Sequence, residues 1–208
     1  THSPASPVAI DDAARWATQA LEGLAALHAM GILHRDIKPG NLLLTADDEI
    51  KLSDFGLALH LDRDETRATT HESILGTLEY LSPEQALGQP VDARSDLCSL
   101  GVVLFEMIAG RLPFVTQSSL GSLLERLRQD STPYLAQLRP ETPPWLAAVV
   151  RRLLERESAQ RYPSAAAALA DSRKQHEAVS AARQQLEEKA KGLEAQVAQI
   201  SFSARKLV

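Results

Sequence analysis

The chain has 208 residues, 44% of them hydrophobic and only 4% aromatic, and its formal net charge is -5. That length suits one domain with a core plus an appendage, and the mildly acidic balance gives no electrostatic reason to expect nucleic acid as a partner. No apolar run reaches the ~20 residues of a membrane-spanning helix, so we expect no membrane segment. The single cysteine, Cys98, lies in an apolar run and predicts a buried, inert thiol in a reducing, cytoplasmic compartment.

The first predicted element is a long helix. Residues 1–8 are rich in Pro and Ser and predict a loop, after which Asp11 or Asp12 can start a helix that runs to about Met30. Gly31 is the predicted stop signal. The apolar side chains that predict the buried stripe recur at helical spacing, at Trp16, Ala20, Leu24 and Leu27.

A dense group of polar side chains follows this helix. The run HRDIKPGN, residues 34–41, combines a carboxylate, a lysine and a carboxamide at fixed spacing, and DFG follows at 54–56. Two short strands, 41–45 and 50–53, are predicted between these motifs, with a turn at 46–48. One strand is a solid leucine run, so we expect a small buried hairpin that carries the polar groups at its ends.

The next segment, residues 57–82, has a polar middle, DRDETRATTHES, without any period, and predicts a mobile loop. Four hydroxyl residues in it are candidate phosphorylation sites: Thr66, Thr69, Thr70 and Ser73. The run GTLEYLSPE follows at 76–84, and SDLCSLGVVLFEM at 95–107 opens the most apolar predicted helix, 95–110.

The rest of the chain predicts shorter helices and then one long one. Residues 120–128, 145–154 and 163–172 have helical patterns, and the prolines of 132–144 predict a loop. Residues 173–204 contain no proline and are rich in Ala, Gln, Glu and Lys. Apolar residues seven apart occupy one seam, with a second seam between them: Val179, Leu186, Leu193 and Ile200, then Arg183, Ala190 and Val197. We expect either a dimeric coiled coil or a solvated single helix that leads to a further domain.

In this order, HRDIKPGN, DFG, GTLEYLSPE and SDLCSLGVVLFEM resemble the eukaryotic-type serine/threonine protein kinases over roughly residues 9–174. Lys38 in DIKPGN is similar to the serine/threonine branch, and YLSPEQA resembles the bacterial members. The resemblance implies a mainly α fold with a small β-hairpin, the C-terminal lobe of the protein-kinase-like fold, followed by a long helix. The competing interpretation makes Asp36 and Asp54 ordinary turn or capping carboxylates.

The resemblance also implies catalytic roles. Asp36 would accept the hydroxyl proton of a protein Ser or Thr, and Lys38 would steady the phosphoryl group transferred from ATP. Asn41 and Asp54 would hold Mg²⁺ and thereby contact ATP, and Thr77 would hydrogen-bond to Asp36 and Lys38.

Regulatory and supporting roles follow from the same resemblance. His34 would pack and bond to backbone near DFG. Arg35 would face the segment that carries Thr69 and Thr70, where its guanidinium suits a phosphate; a plain salt bridge to a carboxylate is the alternative.

Three further residues are implied to support the lobe. Glu84 resembles the glutamate that pairs with an arginine near the end of the domain, here Arg161. Asp96 resembles the aspartate that holds the catalytic-loop backbone from beneath. It could also be an N-terminal capping carboxylate, and the two roles can coexist.

A complete kinase also needs an N-terminal lobe with a glycine-rich loop and a strand lysine. Only 33 residues precede His34, and the sequence contains no GxGxxG. Because the chain also begins at Thr1, we expect a fragment: a kinase C-lobe at 1–174, partnered by the N-lobe of its parent, and a helical extension at 175–208 that supports a homodimer. The expected function is transfer of the ATP γ-phosphate to Ser or Thr hydroxyls in the parent, with little activity in the isolated chain. The alternative is a non-catalytic, kinase-like scaffold or docking module with a dimerising helix.

Overall fold

A computed structural model describes residues 7–54, 59–60, 78–114, 118–128 and 134–205. The chain divides into two compact units, Thr1–Ser172 and Arg173–Val208. The described part is mostly helical with two small sheets, so the prediction of a mainly α fold with a small β-hairpin is confirmed.

Helix α1 spans Ile10–Ala29, and its C-cap Met30 leads into Gly31 at φ +71°. Asp11 and Asp12 lie in its first turn, where negative charges interact favourably with the helix dipole. The helix begins one residue earlier than predicted. The buried face is made mainly of small residues and leucines: Ala13, Ala17, Ala20, Leu21 and Leu24. The small alanines let α1 lie close to the central helix described below.

Two antiparallel pairs of strands flank the polar motif. Strand β1 (Ile32–Leu33) pairs with β4 (Leu59–His60), a sheet that the sequence pattern did not predict. Strand β2 (Leu42–Leu44) pairs with β3 (Ile50–Leu52), which is the predicted hairpin. The prediction that this hairpin is buried is wrong: two of its leucines, Leu43 and Leu44, are 52% and 50% exposed. Leu43 lies on the sheet face opposite Leu42, whereas Leu44 shares the face of Leu42 but lies at the end of the strand, beside the turn.

The centre of the first unit is helix α3, Ala93–Ala109, which packs against α1 and against helix α6, Pro144–Leu153. Asp92 caps its N-terminus by accepting a hydrogen bond from Arg94 N at 2.8 Å, and Gly110 ends it at φ +70°. Apolar residues are buried around its whole circumference, including Leu97, Leu100, Val102, Leu104, Phe105 and Ile108. A helix that is apolar on all sides must be surrounded by other elements, which is where α3 lies.

Shorter helices complete the first unit. Helix α2 is Pro83–Ala86, α4 is Ser119–Arg128 and α5 is Leu135–Leu138. The prediction that all of 132–144 is loop is wrong at α5, where four residues without proline form one helical turn that buries Leu135 on the core. Single 3₁₀ turns occur at Pro39–Asn41 and Ser158–Gln160.

The last helix, α7, runs without interruption from Ala165 to Arg205. We predicted a lobe helix that ends near Ser172 and a separate tail helix, and this is wrong. No proline or glycine lies between Ala165 and Lys191, so nothing in the backbone stops the helix at the boundary of the two units. Among the described helices, none is both long and apolar enough to cross a membrane.

Candidate active site

The polar loop after β1 is held by one buried carboxylate from α3. Asp96, 1% exposed, accepts the backbone N–H of His34 at its Oδ2 (2.9 Å) and that of Arg35 at its Oδ1 (2.8 Å). His28 Nε2, at the end of α1, lies 2.9 Å from the same Oδ2. The capping alternative for Asp96 does not apply, since Asp92 caps α3. A single side chain therefore joins α1, α3 and the loop.

Two residues of the site adopt the left-handed backbone conformation that side chains other than glycine rarely take. Arg35 has φ +65° and Asp54 has φ +64°. Such conformations cost roughly 1–3 kcal/mol each and persist only where the surroundings enforce them. At Arg35 the enforcing contact is the hydrogen bond from its N–H to Asp96.

Three of the residues singled out from the sequence meet around the Asp36 carboxylate. Lys38 Nζ donates to Asp36 Oδ2 at 2.8 Å, and Asn41 Nδ2 donates to the same oxygen at 3.0 Å and to the Asp36 carbonyl at 2.7 Å. Asp36 is 7% exposed, and no described residue hydrogen-bonds to its buried Oδ1. The arrangement therefore orients the carboxylate through Oδ2 and leaves its buried Oδ1 without a described donor.

Asp54 is tied to this group through the residue before it. Ser53 N donates to the Asn41 carbonyl at 2.9 Å, and His34 Nε2 lies 3.0 Å from the Ser53 carbonyl. His34 is fully buried and thus bonds to the backbone beside Asp54, where the resemblance places it. Asp54 itself is exposed.

The donor set fits a magnesium ion held together with phosphate oxygens. Because the amide nitrogen of Asn41 donates to Asp36, the amide oxygen is the atom of this side chain that can bind a cation. Asp54 supplies an exposed carboxylate. Mg²⁺ is commonly held by one or two such oxygens plus substrate phosphates. The described residues contain no group of three or more His, Cys, Asp or Glu that could hold a metal ion.

Several predicted residues fall outside the described part of the chain. The stretch 61–77 contains the predicted catalytic Thr77 and all four candidate phosphorylation sites, Thr66, Thr69, Thr70 and Ser73. The guanidinium of Arg35 makes no hydrogen bond or ion pair with any described residue, and its buried Nε has no acceptor there.

Glu84 and Arg161 form a bidentate ion pair beneath the site, at 2.6 and 3.0 Å. Ser95 Oγ also donates to Glu84 (2.7 Å), and Arg161 reaches the carbonyls of Arg94, Glu155 and Arg156. Burial alone would raise the pKa of Glu84, but the hydrogen bonds from Arg161 and Ser95 outweigh it and hold that pKa below its usual value. The pair anchors α2 to α3 and to the chain after α6.

Sequence reasoning missed several residues that shape the site. His28 is the third contact of Asp96, and Gln85 Nε2 in α2 donates to the Arg35 carbonyl at 2.9 Å. Tyr80 OH donates to Glu106 Oε2 at 2.6 Å; burial, followed by this bond, raises the pKa of Tyr80 well above its usual value. Arg126 in α4, 4% exposed, donates to the carbonyls of Glu79 and Leu81. The sequence did not indicate these contacts, because they join residues that are 26 to 68 positions apart, and such pairs leave no local pattern.

Comparison with known proteins identifies the family that this chain resembles. The model described as "Protein kinase domain" matches residues 3–173. The chain is 37% identical over 153 residues to a probable serine/threonine-protein kinase PknB of Corynebacterium glutamicum, 41% over 144 residues to the serine/threonine-protein kinase PknB of Mycobacterium leprae, and 41% over 157 residues to the serine/threonine-protein kinase PksC of Streptomyces coelicolor.

These alignments cover 72%, 69% and 76% of this chain but 24%, 23% and 28% of the relatives. The chain therefore spans about a quarter of the length of the curated relatives that it matches. The motif order, the loop held by a buried aspartate and the family match over residues 3–173 agree, and the chain belongs to the protein kinase family.

Proposed function

We propose that the first unit is the large, C-terminal lobe of a bacterial serine/threonine protein kinase. In its parent protein it would transfer the γ-phosphate of ATP to a Ser or Thr hydroxyl of a protein substrate. The observation that carries the proposal is the Asp36 carboxylate, oriented by Lys38 and Asn41 through Oδ2 while Oδ1 has no described partner. The serine/threonine branch is favoured by the names of the relatives.

Each polar group at the site then has a defined task. Asp36 Oδ1 accepts the proton of the substrate hydroxyl, and Lys38 offsets the charge of the phosphoryl group in transit. The Asn41 oxygen and the Asp54 carboxylate hold magnesium, which would neutralise charge on the ATP phosphates. Thr77 aligns the base with the docked substrate, and a phosphate on Thr69 or Thr70 pairs with Arg35.

The N-lobe of the parent is the proposed intramolecular partner. Leu43 and Leu44, which are about half exposed, follow Asn41 by two and three residues, so exposed apolar side chains lie close in sequence to the proposed nucleotide ligand. The sequence contains no glycine-rich phosphate loop. Because phosphoryl transfer depends almost wholly on positioning and electrostatics, we expect the isolated chain to be nearly inactive. We also propose a reducing, cytoplasmic environment for the lobe, since Cys98 is free and buried.

The test is Mg²⁺-dependent transfer from radiolabelled ATP to a protein acceptor by the parent. The Asp36→Asn variant should lose at least about a hundredfold in kcat, since general-base catalysis typically contributes ~10²–10⁴-fold. Asp47→Asn, which makes the same change at an exposed position of the hairpin turn, is the matched control. Near-normal transfer by Asp36→Asn would contradict the role proposed for Asp36, and no transfer by the unaltered parent would favour the non-catalytic scaffold instead.

We further propose that the second unit pairs with a second copy of itself as a parallel coiled coil. Its seam residues are exposed: Val179 is 47%, Leu186 67%, Leu193 62% and Val197 62% accessible. With these leucines at d positions, Lys189 falls at g and Glu194 at e of the next heptad. Those two positions face each other between parallel, in-register helices, whereas an antiparallel pair would oppose glutamate to glutamate. Such a dimer would bring two kinase domains together and raise their effective concentration for phosphorylation of one by the other.

A further inference from the structure

Gln85, in helix α2, uses both ends of its side-chain amide. Its Oε1 accepts from the backbone N–H and from the hydroxyl of Ser82, both at 3.0 Å, and Ser82 Oγ accepts from Gln85 N at 3.3 Å. This reciprocal pattern is a capping box, which starts α2. It accounts only for the oxygen end of the amide.

The nitrogen of the Gln85 amide contacts the polar loop of residues 34–41, called the catalytic loop from here on. Gln85 Nε2 donates to the Arg35 carbonyl at 2.9 Å, a contact between residues 50 apart in the chain. Arg35 is the left-handed residue directly before Asp36, and its N–H is held at 2.8 Å by Asp96. The two backbone polar groups of Arg35 are thus clamped by two side chains from different helices, Asp96 from α3 and Gln85 from α2.

This clamp bears on Asp36 because the Arg35 carbonyl belongs to the peptide unit that continues into Asp36. Rotation of that peptide would turn the Asp36 backbone and displace its carboxylate from Lys38 and Asn41. A residue other than glycine with positive φ has lower energy in a backbone conformation with negative φ. Contacts on both sides of Arg35 are therefore needed to prevent the peptide from rotating to that conformation. Asp96 fixes one side, and Gln85 is the described side chain that fixes the other.

The segment before α2 is itself firmly anchored. Arg126 binds the carbonyls of Glu79 and Leu81, Tyr80 binds Glu106, and Ser119 Oγ donates to Glu79 at 2.7 Å. Gln85 therefore connects the catalytic loop to a segment with a fixed position on α3 and α4. Residues 78–82 continue the run GTLEYLSPE, whose start at Gly76 and Thr77 resembles the loop on which a protein substrate docks in the kinase family.

We propose that Gln85 is a positioning residue that couples the substrate-docking segment to the catalytic base by holding the Arg35–Asp36 peptide. The proposal rests on the proposed kinase function for its catalytic consequence but not for the contact itself. A glutamine is required because the position needs one acceptor and one donor on a single planar group. A glutamate retains the acceptor but opposes a carboxylate oxygen to the Arg35 carbonyl, and a methionine retains neither.

The first test compares Gln85→Glu with Gln89→Glu in the parent protein. Both introduce the same charge, and Gln89 lies exposed four residues later. Glutamate keeps the capping box, so α2 should remain folded. For Gln85→Glu we expect kcat to fall about tenfold, the cost of an unfavourable polar contact, with the ATP KM and the melting temperature close to those of the Gln89→Glu control. A kcat within about twofold of the control, or a loss that follows the melting temperature, would overturn the proposal.

The second test does not need kinase activity. Amide hydrogen exchange of the parent, read by mass spectrometry over residues 34–37, should be faster in Gln85→Glu and Gln85→Met than in the control. Unchanged exchange in both variants would contradict the clamp. If exchange accelerates while the parent shows no phosphoryl transfer that depends on Asp36, the proposed function fails and the positioning contact stands.

Discussion

At the scale of single residues, the hydrogen-bonding capacity of the buried Arg161 is almost filled. Arg161 is 2% exposed and donates through all three of its nitrogens to Glu84 and to three backbone carbonyls. Burial of such a charged group costs free energy, and removal of some of its partners costs more. It specifies how α2 lies against α3, and with α2 it fixes where Gln85 meets the loop.

Removal of the guanidinium should therefore destabilise the first unit strongly. We expect Arg161→Met to lower the free energy of unfolding by about 3–5 kcal/mol, because the Glu84 carboxylate loses its charged partner and three carbonyls lose the hydrogen bonds from Arg161. Urea denaturation followed by circular dichroism measures this loss. Arg151→Met, on the exposed face of α6, is the control and should change stability by less than about 0.5 kcal/mol. Equal effects of the two variants would contradict the assigned role of the buried pair.

The same pair predicts a pH dependence whose sign follows from the lowered pKa of Glu84. A carboxyl with a lower pKa in the folded state adds stability that is complete above its unfolded value and is lost as the pH falls through the folded value. The unaltered chain should therefore be more stable than Glu84→Gln near neutral pH, and this advantage should shrink below about pH 4. Urea titrations at several pH values test it, and an advantage that stays constant from neutral pH down to the most acidic pH at which the chain still folds would rule the linkage out.

At the scale of elements, α3 is the helix on which the rest of the first unit is built. It supplies Asp96 to the catalytic loop, Ser95 to Glu84 and Glu106 to Tyr80. It can approach α6 closely because Gly101 has no side chain: a Cβ there would lie 2.9 Å from Leu153 Cβ and 3.1 Å from Leu154 Cγ. The glycine is therefore a packing requirement within a helix.

Two glycine substitutions in helices should have opposite effects. Gly101→Ala should destabilise the chain by about 1–3 kcal/mol, since the clash with α6 exceeds the gain in helix propensity. Gly192→Ala in α7 has no neighbour within 4 Å and should stabilise its helix by up to about 1 kcal/mol. Thermal unfolding of both variants provides the comparison. If Gly101→Ala were stabilising, the packing of α3 on α6 would have to be looser than the distances from Gly101 to Leu153 and Leu154 indicate.

At the scale of the whole molecule, each unit exposes an apolar surface that a larger assembly could cover. In the first unit the exposed apolar side chains include Leu43 and Leu44 of the hairpin. In the second unit they line the seam of α7. We assign the first surface to the N-lobe of the parent and the second to another copy of the chain.

The parallel dimer gives a charge-reversal test. Lys189→Glu and Glu194→Lys should each weaken association, because each opposes like charges across the seam, and the double variant should restore it. Light scattering at several concentrations reports the mass. A chain that stays monomeric at high micromolar concentration, before and after deletion of residues 175–208, would exclude the dimer and leave a solvated single helix.

Much of the architecture was predictable from the sequence because its determinants are local. Periodic apolar residues predicted α1, α3, α4 and α6, and turn residues around Asp48 predicted the β2–β3 hairpin, with ends within a few residues of those observed. Motif spacing singled out Asp36, Lys38 and Asn41 as a group, and they lie within hydrogen-bonding distance.

Tertiary structure alone decided what depends on contacts distant in the chain. Pairing of β1 with β4, the exposure of Leu43 and Leu44, and the choice between capping and loop support for Asp96 each depend on neighbours that no local pattern specifies. The amide of Gln85 illustrates the reason. Its oxygen satisfies a capping motif readable from four consecutive residues, whereas its nitrogen finds the Arg35 carbonyl only after α2 has docked beside the catalytic loop.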